Sequence, residues 1–102
     1  MRYATINVSG GGVSPIVAPE RMCCILVYSF LLFVNGVANI DLEDSDGTIL
    51  SGPYSVFAGG GNINTYSLRG NLRTESGKGL SIGLDADIQV GGHIVYDFIY
   101  EE

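Results

Sequence analysis

The chain has 102 residues, of which five are basic and eleven are acidic, so its formal net charge at pH 7 is −6. A chain of this length forms one domain and buries about 65% of the surface that its unfolded form exposes, which supplies a core without a metal or a disulfide. Attraction to a phosphate backbone depends on clustered Lys and Arg, which this sequence lacks. We therefore expect no nucleic-acid partner.

The chain is predicted to begin with an N-terminal arm or edge strand over residues 1–17, followed by one domain over residues 18–102. Polar and apolar residues alternate from Tyr3 to Ser9, as they do in a strand. Gly10-Gly11-Gly12 then permits any backbone conformation, so the first segment can swing out and pair with another chain. Pro15 cannot donate a hydrogen bond to a ladder, which places the segment around it at a sheet edge.

The most apolar stretch of the chain runs from Met22 to Val34. It is shorter than the roughly 20 residues that span a membrane, and it lacks the flanks of a signal peptide, so we expect no membrane partner. Its β-branched and aromatic residues favour a long strand over a helix. Bulky residues at both parities predict that one face packs on the opposite sheet and the other on a neighbouring subunit. The expected subunit interface includes Phe30, Leu31, Leu32 and Phe33.

Asn35-Gly36 is a typical two-residue hairpin sequence, and it predicts that the long strand turns back into a neighbouring strand over Val37–Asp44. Apolar and polar residues alternate in that second strand. The expected core residues are Ala38, Ile40 and Leu42, and the expected solvent-facing residues are Asn39, Asp41 and Glu43. Further along, the segment from Tyr54 to Gly61 indicates an irregular connection with two aromatic anchors, Tyr54 and Phe57. We expect these two residues at the subunit interface as well.

Short apolar segments separated by turns continue to the end of the chain, over residues 62–68, 72–75, 80–88 and 94–100. No segment combines a sustained 3.6-residue period with helix caps, so eight or nine strands and little or no helix are expected. The economical fold is all-β: an antiparallel two-sheet β-sandwich, jelly-roll-like, with an extended N-terminal arm.

The densest acidic cluster consists of Asp41, Glu43, Asp44 and Asp46, and carboxylate oxygens at such spacing are the ligands that calcium uses. Only Asp44-x-Asp46-Gly47 overlaps a calcium-loop pattern, and positions 48–52 lack the acidic residue that would close the site. We therefore expect a solvated acidic turn without a metal, and these four residues are the candidates if a cation binds.

No arrangement of residues in the sequence predicts catalysis or a cofactor. Ser76-Gly77-Lys78-Gly79 lacks the remaining residues of a phosphate loop and predicts a turn. His93 is the sole histidine and has no identifiable nucleophile or acid partner. Cys23 and Cys24 point to opposite faces of a strand and are poorly placed to bridge each other, so buried, reduced thiols and assembly in a reducing cytoplasm are expected. We expect a protein that is not an enzyme.

Three motifs in the second half resemble small virion proteins of tailed bacteriophages. They are Thr48-Ile-Leu-Ser-Gly52, then Thr74-Glu-Ser-Gly77-Lys-Gly-Leu80-Ser-Ile82-Gly-Leu84, and then Val90-Gly-Gly92-His-Ile94-Val-Tyr96. Virion proteins of this kind have a Thr-x-x-Gly-x-x-Leu turn and strand ahead of a Val-x-Gly-x-aliphatic-x-Tyr ending. The likeness extends over about four fifths of the chain, from Ala18 onward.

The resemblance implies a β-sandwich that decorates or cements the phage capsid from outside, commonly as a trimer, without catalysis. The implied partners are further copies of this chain and the major capsid protein, and the implied location is the capsid surface of the virion. Two alternatives stay open. One is a receptor- or carbohydrate-binding module of a tail fibre, with Tyr54, Tyr66 and Tyr100 stacking on sugar rings. The other is a tail or adaptor subunit.

Overall fold

A computed structural model describes residues 2–56, 63–66 and 72–100, and that part of the chain contains nine strands and no helix. The strands are β1 (Arg2–Ser9), β2 (Gly12–Val17), β3 (Cys23–Val34), β4 (Ala38–Asp44), β5 (Ile49–Val56), β6 (Ile63–Tyr66), β7 (Leu72–Arg73), β8 (Leu80–Leu84) and β9 (Gln89–Tyr100). The expected all-β class is confirmed. Within the same ranges, no helix has the length and apolarity that crossing a membrane requires.

The strands form two antiparallel sheets. The first sheet has the order β1-β9-β3-β6, with β7 also paired to β3, and the second sheet has the order β2-β8-β4-β5. Both sheets contribute to one hydrophobic core, in which Phe30 and Ile94 of the first sheet join Ile40 and Ile82 of the second. Two antiparallel sheets that share a core are consistent with the predicted β-sandwich.

The long apolar strand β3 lies inside the first sheet, between β9 on one side and β6 and β7 on the other. Its pairing with β9 is interrupted between Val27 and Ser29, where one extra residue, Tyr28, enters the strand. A bulge of this kind changes which parity faces the core. Ile25 and Val27 therefore face inward before it, whereas the inward residues after it are Phe30, Leu32 and Val34.

Residues 2–17 lie at the edges of both sheets. β1 pairs with β9 along its whole length, and the guanidinium of Arg2 lies 5.2 Å from the ring centre of Phe98. β2 pairs with β8 in the other sheet, with an irregularity after Pro15. Gly10 and Gly12 have φ values of 88° and 104°, and this left-handed backbone carries the chain from one sheet to the other.

The predicted hairpin at Asn35-Gly36 is wrong, because β3 and β4 belong to different sheets. The Asn35 side chain ties the end of β3 to the start of β9: its Oδ1 accepts a hydrogen bond from the Gln89 amide at 2.8 Å. Gly36 is needed for close packing, since a Cβ at this position would lie 2.6 Å from the Cγ2 of Ile88. The two residues therefore turn the chain across the core.

Candidate functional site

The outer face of the first sheet carries apolar side chains that the core does not cover. On β3 this face presents Leu31 and Phe33, because Phe30 and Leu32 point inward. Phe33 is 53% exposed, and its register partner on β9 is Gly91, which has no side chain to cover the ring. Strand alternation and register place further residues on this surface. We call it the apolar face and define it by Tyr3, Leu26, Leu31, Phe33, Val95 and Ile99.

The apolar face extends over the first three strands of the sheet, with Thr5, Ser29 and His93 between its apolar residues. Tyr3 on the edge strand β1 is 75% exposed and lies opposite Val95, which is the register partner of Ser29 on β3. Two residues further along β1, Thr5 is the register partner of His93, and His93 is the register partner of Leu31 on β3. Tyr3 and Phe33 are exposed, Val95 is buried, and the other members of the apolar face are partly exposed. Exposed large apolar side chains on one sheet face are typical of a protein–protein contact.

Two of the four residues predicted at a subunit interface on β3 are buried in the core. Phe30 and Leu32 are 2% and 0% exposed, so the prediction that they contact a neighbouring subunit is wrong. The strand alternates inward and outward residues, and a run with bulky residues at both parities puts only one parity on each face. Leu31 and Phe33 lie on the outer face.

The prediction that an irregular connection begins at Tyr54 is wrong, because this residue lies in strand β5. Tyr54 is half-buried and packs against the core, with its ring centre 6.4 Å from that of Phe30 and its hydroxyl hydrogen-bonded to Ser51. Part of its ring therefore stays accessible, and its place at an interface or against a sugar ring stays a prediction. Tyr100 is exposed at the end of β9. Phe57 and the side chain of Tyr66 lie outside the described residues.

Two of the four acidic candidates for a cation are engaged in a turn. Asp44 is buried, and its Oδ1 accepts hydrogen bonds from the amides of Asp46 and Thr48 at 2.8 and 3.0 Å. Asp46 forms an ion pair with Lys78, and this hydrogen bond raises the pKa of the lysine. Both carboxylates are therefore engaged in contacts within the turn and with Lys78. Across residues 2–56 and 72–100, no group of three or more His, Cys, Asp or Glu side chains is placed to hold a metal.

The other two candidates, Asp41 and Glu43, lie together on the outer face of the second sheet. The register places Asp41 opposite Gly83 on β8, and the missing side chain leaves room there. A Cβ at Gly83 would lie 2.5 Å from Asp41 Oδ1 and 2.8 Å from Glu43 Oε2. They line a cleft of about 360 Å³, which we call the acidic cleft; its walls are Gly12, Val13, Asn39, Asp41, Glu43, Pro53, Gly83, Leu84 and Asp85.

The two carboxylates of the acidic cleft strongly affect each other. Glu43 is only 8% exposed, so the expectation that it faces solvent is wrong. A hydrogen bond with the Asp41 carboxyl, burial, and the negative charges of Asp41 and Asp44 raise the pKa of Glu43 to about 7. That hydrogen bond requires a proton on one of the two carboxyls. Asp41 Oδ1 itself is buried, and no donor from the described side chains or backbone reaches it.

A third carboxylate of the acidic cleft is satisfied by its neighbour. Asp85 accepts hydrogen bonds from the backbone amide of Asn39 at 2.7 Å and from its side-chain amide at 2.8 Å. These bonds favour the charged form and lower the pKa of Asp85. Asp85 therefore fixes the wall of the cleft.

The remaining residues singled out in the sequence have structural positions. Ser76 and Gly77 form a turn, as predicted, and the Lys78 amide donates to the Glu75 carbonyl at 3.1 Å. His93 is exposed on the outer face of the first sheet. Cys23 and Cys24 are free thiols, of which Cys24 is buried.

The sequence did not reveal that Asp41 and Glu43 converge on Gly83. The available signal in the sequence was Gly83 itself, because a glycine at an outward position of an alternating strand leaves space for neighbouring side chains. No protein-family model matches the chain, and comparisons with curated proteins and with solved structures find no match.

Proposed function

We propose that this chain is a non-enzymatic structural protein of a tailed-bacteriophage virion, and specifically a capsid decoration protein. It binds the outer surface of the major capsid protein as a homo-oligomer, most simply a trimer, and stabilises the shell. The observation that carries the proposal is the apolar face, because exposed apolar surface favours association with another protein. The resemblance of the three C-terminal motifs supplies the phage context.

A second copy of this chain is the proposed occupant of the apolar face. Burial of apolar surface stabilises an association by about 25 cal/mol per Å², and Phe33 and Tyr3 both have large exposed areas to lose. The face carries few charges, since Asp97 is its only acidic residue among those described on β1, β3 and β9. Copies with a net charge of −6 repel each other at long range, so a largely uncharged contact is where they meet most easily.

The proposed fold is a jelly roll, and the strand order supports it. The chain passes from the first sheet to the second between β1 and β2, and it crosses again at each of the next two connections. β5 stays beside β4, and β8 and β9 then insert between earlier strands, β8 between β2 and β4 and β9 between β1 and β3. Two interleaved antiparallel sheets of this kind are typical of viral capsid and lectin domains. That link to capsids is an analogy of fold.

Phe33→Ser tests the proposed assembly, with Val37→Ser as the matched control. Val37 is also exposed, but it lies in the connection between β3 and β4 and not on the apolar face. Light scattering coupled to size-exclusion chromatography is expected to show an oligomer for the wild type and for Val37→Ser. For Phe33→Ser we expect a shift toward monomer, with an association constant at least about tenfold lower.

Binding to the capsid is tested on phage particles stripped of this protein. Adding back the wild type is expected to raise the temperature at which the particles release their DNA, and Phe33→Ser is expected to restore less of that increase. A strictly monomeric wild type, together with stripped particles as stable as complete ones, would contradict the proposal.

A carbohydrate-binding module of a tail fibre is the second candidate, and the exposed ring of Tyr100 favours it. Exposed tyrosines bind sugar rings through their apolar faces. A glycan array distinguishes the two candidates: a binder that is lost in Tyr100→Ala would favour the module, whereas a decoration protein is expected to bind none of the glycans.

A further inference from the structure

We propose that the free edge of β1 pairs with β1 of a second copy of this chain, in antiparallel orientation about a twofold axis. Each β1 stays in its own sheet, and the first sheets of the two copies join into one. This contact uses the edge of the sheet and is separate from the apolar face. It does not rest on the proposed virion role.

β1 is the least protected of the sheet edges. The described strands leave edges at β1, at β6 and β7, at β2 and at β5. β6 and β7 are short, β2 contains Pro15 and an irregularity after it, and β5 contains Pro53 and pairs irregularly with β4. Short strands, prolines and bulges are the features that prevent pairing with another chain. β1 has eight residues in unbroken register, no proline, and one charged residue, Arg2, at its end.

Alternate residues of β1 direct their backbone hydrogen-bonding groups away from the sheet. The Gly10 amide donates to the Ile88 carbonyl at 3.2 Å. In an antiparallel ladder only every second residue exchanges hydrogen bonds with a given neighbour, and the register of β1 on β9 is continuous. Even-numbered residues of β1 therefore bond to β9. The amides and carbonyls that point outward belong to four residues with exposed side chains, Tyr3, Thr5, Asn7 and Ser9.

One register of a β1–β1 pair uses all four outward residues. A twofold axis at Ile6 sets Thr5 opposite Asn7 of the second copy, and Tyr3 opposite Ser9. Each of these pairs exchanges two hydrogen bonds, so the contact contains about eight backbone hydrogen bonds. The unpaired groups of both edges are then satisfied.

The inner side of the edge gains an apolar contact in the same register. Ala4 and Val8 pack against the core but are only half-buried. The twofold axis sets Ala4 opposite Val8 of the second copy, and facing residues without mutual hydrogen bonds have Cα atoms about 4.5 Å apart. The two side chains therefore cover each other. Because the rest of the contact is polar, we expect it to be weaker than association through the apolar face.

Charge complementarity selects a second copy as the partner. Asp87 Oδ1 accepts a hydrogen bond from the Gly11 amide at 2.6 Å and would lie 4.0 Å from a Cβ at Gly10. The proposed register sets Arg2 opposite Gly10 of the second copy, which brings its guanidinium within reach of Asp87 there. Within one chain the length of β1, about 27 Å, separates these two charges. β1 has no acidic residue, so copies with a net charge of −6 repel each other least at this edge.

Amide hydrogen exchange measured by NMR tests the pairing on the full chain. The measurement uses the wild type and Phe33→Ser, because the latter is expected to lose association through the apolar face. When the protein concentration rises from about 20 µM to about 1 mM, exchange of the outward amides is expected to slow at least about threefold in both proteins. These are the amides of Tyr3, Thr5, Asn7 and Ser9. The amides of Ala4, Ile6 and Val8 already bond to β9, so their exchange rates are expected to stay constant.

Variants of β1 connect the protection to the edge. Thr5→Pro removes one outward N–H and no bond to β9, so it is expected to abolish the concentration dependence. Thr5→Val keeps the N–H and is the matched control, which is expected to behave as the wild type. Arg2→Glu sets like charges opposite each other and is expected to weaken the pairing, whereas Arg2→Lys is expected to keep it. Arg2→Glu provides the same test if Thr5→Pro fails to fold.

Three results would overturn the pairing. The first is exchange of the four outward amides that does not depend on protein concentration. The second is unchanged slowing in Arg2→Glu and in a folded Thr5→Pro. The third concerns the register: a mixture of labelled and unlabelled chains is expected to show a nuclear Overhauser effect between the Hα atoms of Ala4 and Val8, and protection without it would contradict the twofold axis at Ile6. A wild type that does not associate through the apolar face would contradict the proposed function only, since Phe33→Ser tests the edge without that contact.

Discussion

Glu43 is the residue whose environment departs furthest from what its strand position indicates. It lies at an outward position of β4, yet it is almost fully buried, beside Asp41 and near Asp44. These neighbours and the burial favour its protonated form, with a pKa of about 7 against the usual value of 4.5. A shift in this direction makes the folded protein hold a proton that the unfolded chain releases.

We expect the stability of the protein to fall as the pH rises from about 4.5 to about 7, through the titration of Glu43. Because the folded-state pKa is raised, the stabilising contribution is fully present below the unfolded pKa and is lost as the pH passes the folded pKa. Glu43→Gln is expected to remove a decrease of about 1–3 kcal/mol. Urea unfolding at several pH values measures this difference.

The control for this titration is Glu75→Gln, which changes an exposed carboxyl and is expected to keep the pH dependence of the wild type. An identical slope in the wild type and in Glu43→Gln would show that another group causes the fall.

At the scale of elements, β3 connects the core to the proposed interface. The bulge at Tyr28 changes which alternate residues of β3 face the core. The apolar residues of this strand therefore lie partly in the core and partly on the outer face. A strand with apolar residues at both parities either has two buried faces or leaves one apolar face exposed. β3 shows the second case in this chain, since Phe33 is exposed.

Leu31 and Leu32 provide a matched pair on this strand, because the two leucines are adjacent and face opposite sides. Leu32→Ala removes a fully buried side chain and is expected to destabilise the protein by about 2–5 kcal/mol. Leu31→Ala is expected to change the stability of the monomer by less than about 1 kcal/mol and to weaken oligomerisation. Urea unfolding at low protein concentration and light scattering at high concentration separate the two effects.

Equal losses of monomer stability in the two variants would mean that Leu31 also contributes to the core. In that case the apolar face would be smaller than the register indicates.

At the scale of the whole molecule, the two candidate surfaces lie on the outer faces of different sheets. The apolar face belongs to the first sheet and the acidic cleft to the second, with the shared core between them. A partner on the apolar face therefore leaves the cleft open. Phe33→Ser is therefore expected to keep the pH dependence of stability that Glu43 causes.

The proposed self-association also predicts that stability depends on protein concentration. The Tm of the wild type is expected to rise by a few degrees over about a hundredfold increase in protein concentration, because only the folded chain associates. Phe33→Ser is expected to show a nearly constant Tm over the same range. Differential scanning calorimetry at several concentrations measures both, and a wild-type Tm that does not change with concentration would contradict the proposed oligomer.

The sequence by itself determined the elements and their class. Period-two alternation and frequent glycine turns predicted the strands, and the continuous apolar run predicted the long interior strand that became β3. These features are local, because each depends on the spacing of residues that are neighbours along the chain. The acidic residues could be identified as a cluster for the same reason.

Only the tertiary structure decided which residues share a site. Asn35-Gly36 suits a hairpin locally, yet packing against Ile88 and the bond to Gln89 turn the chain to the other sheet. The bulge at Tyr28 decided that Leu31 and Phe33 face outward. The register of β4 on β8 placed Asp41 opposite Gly83 and separated it from the turn. Register and bulges depend on partners far apart in the chain, and a one-residue change reverses the face of every side chain.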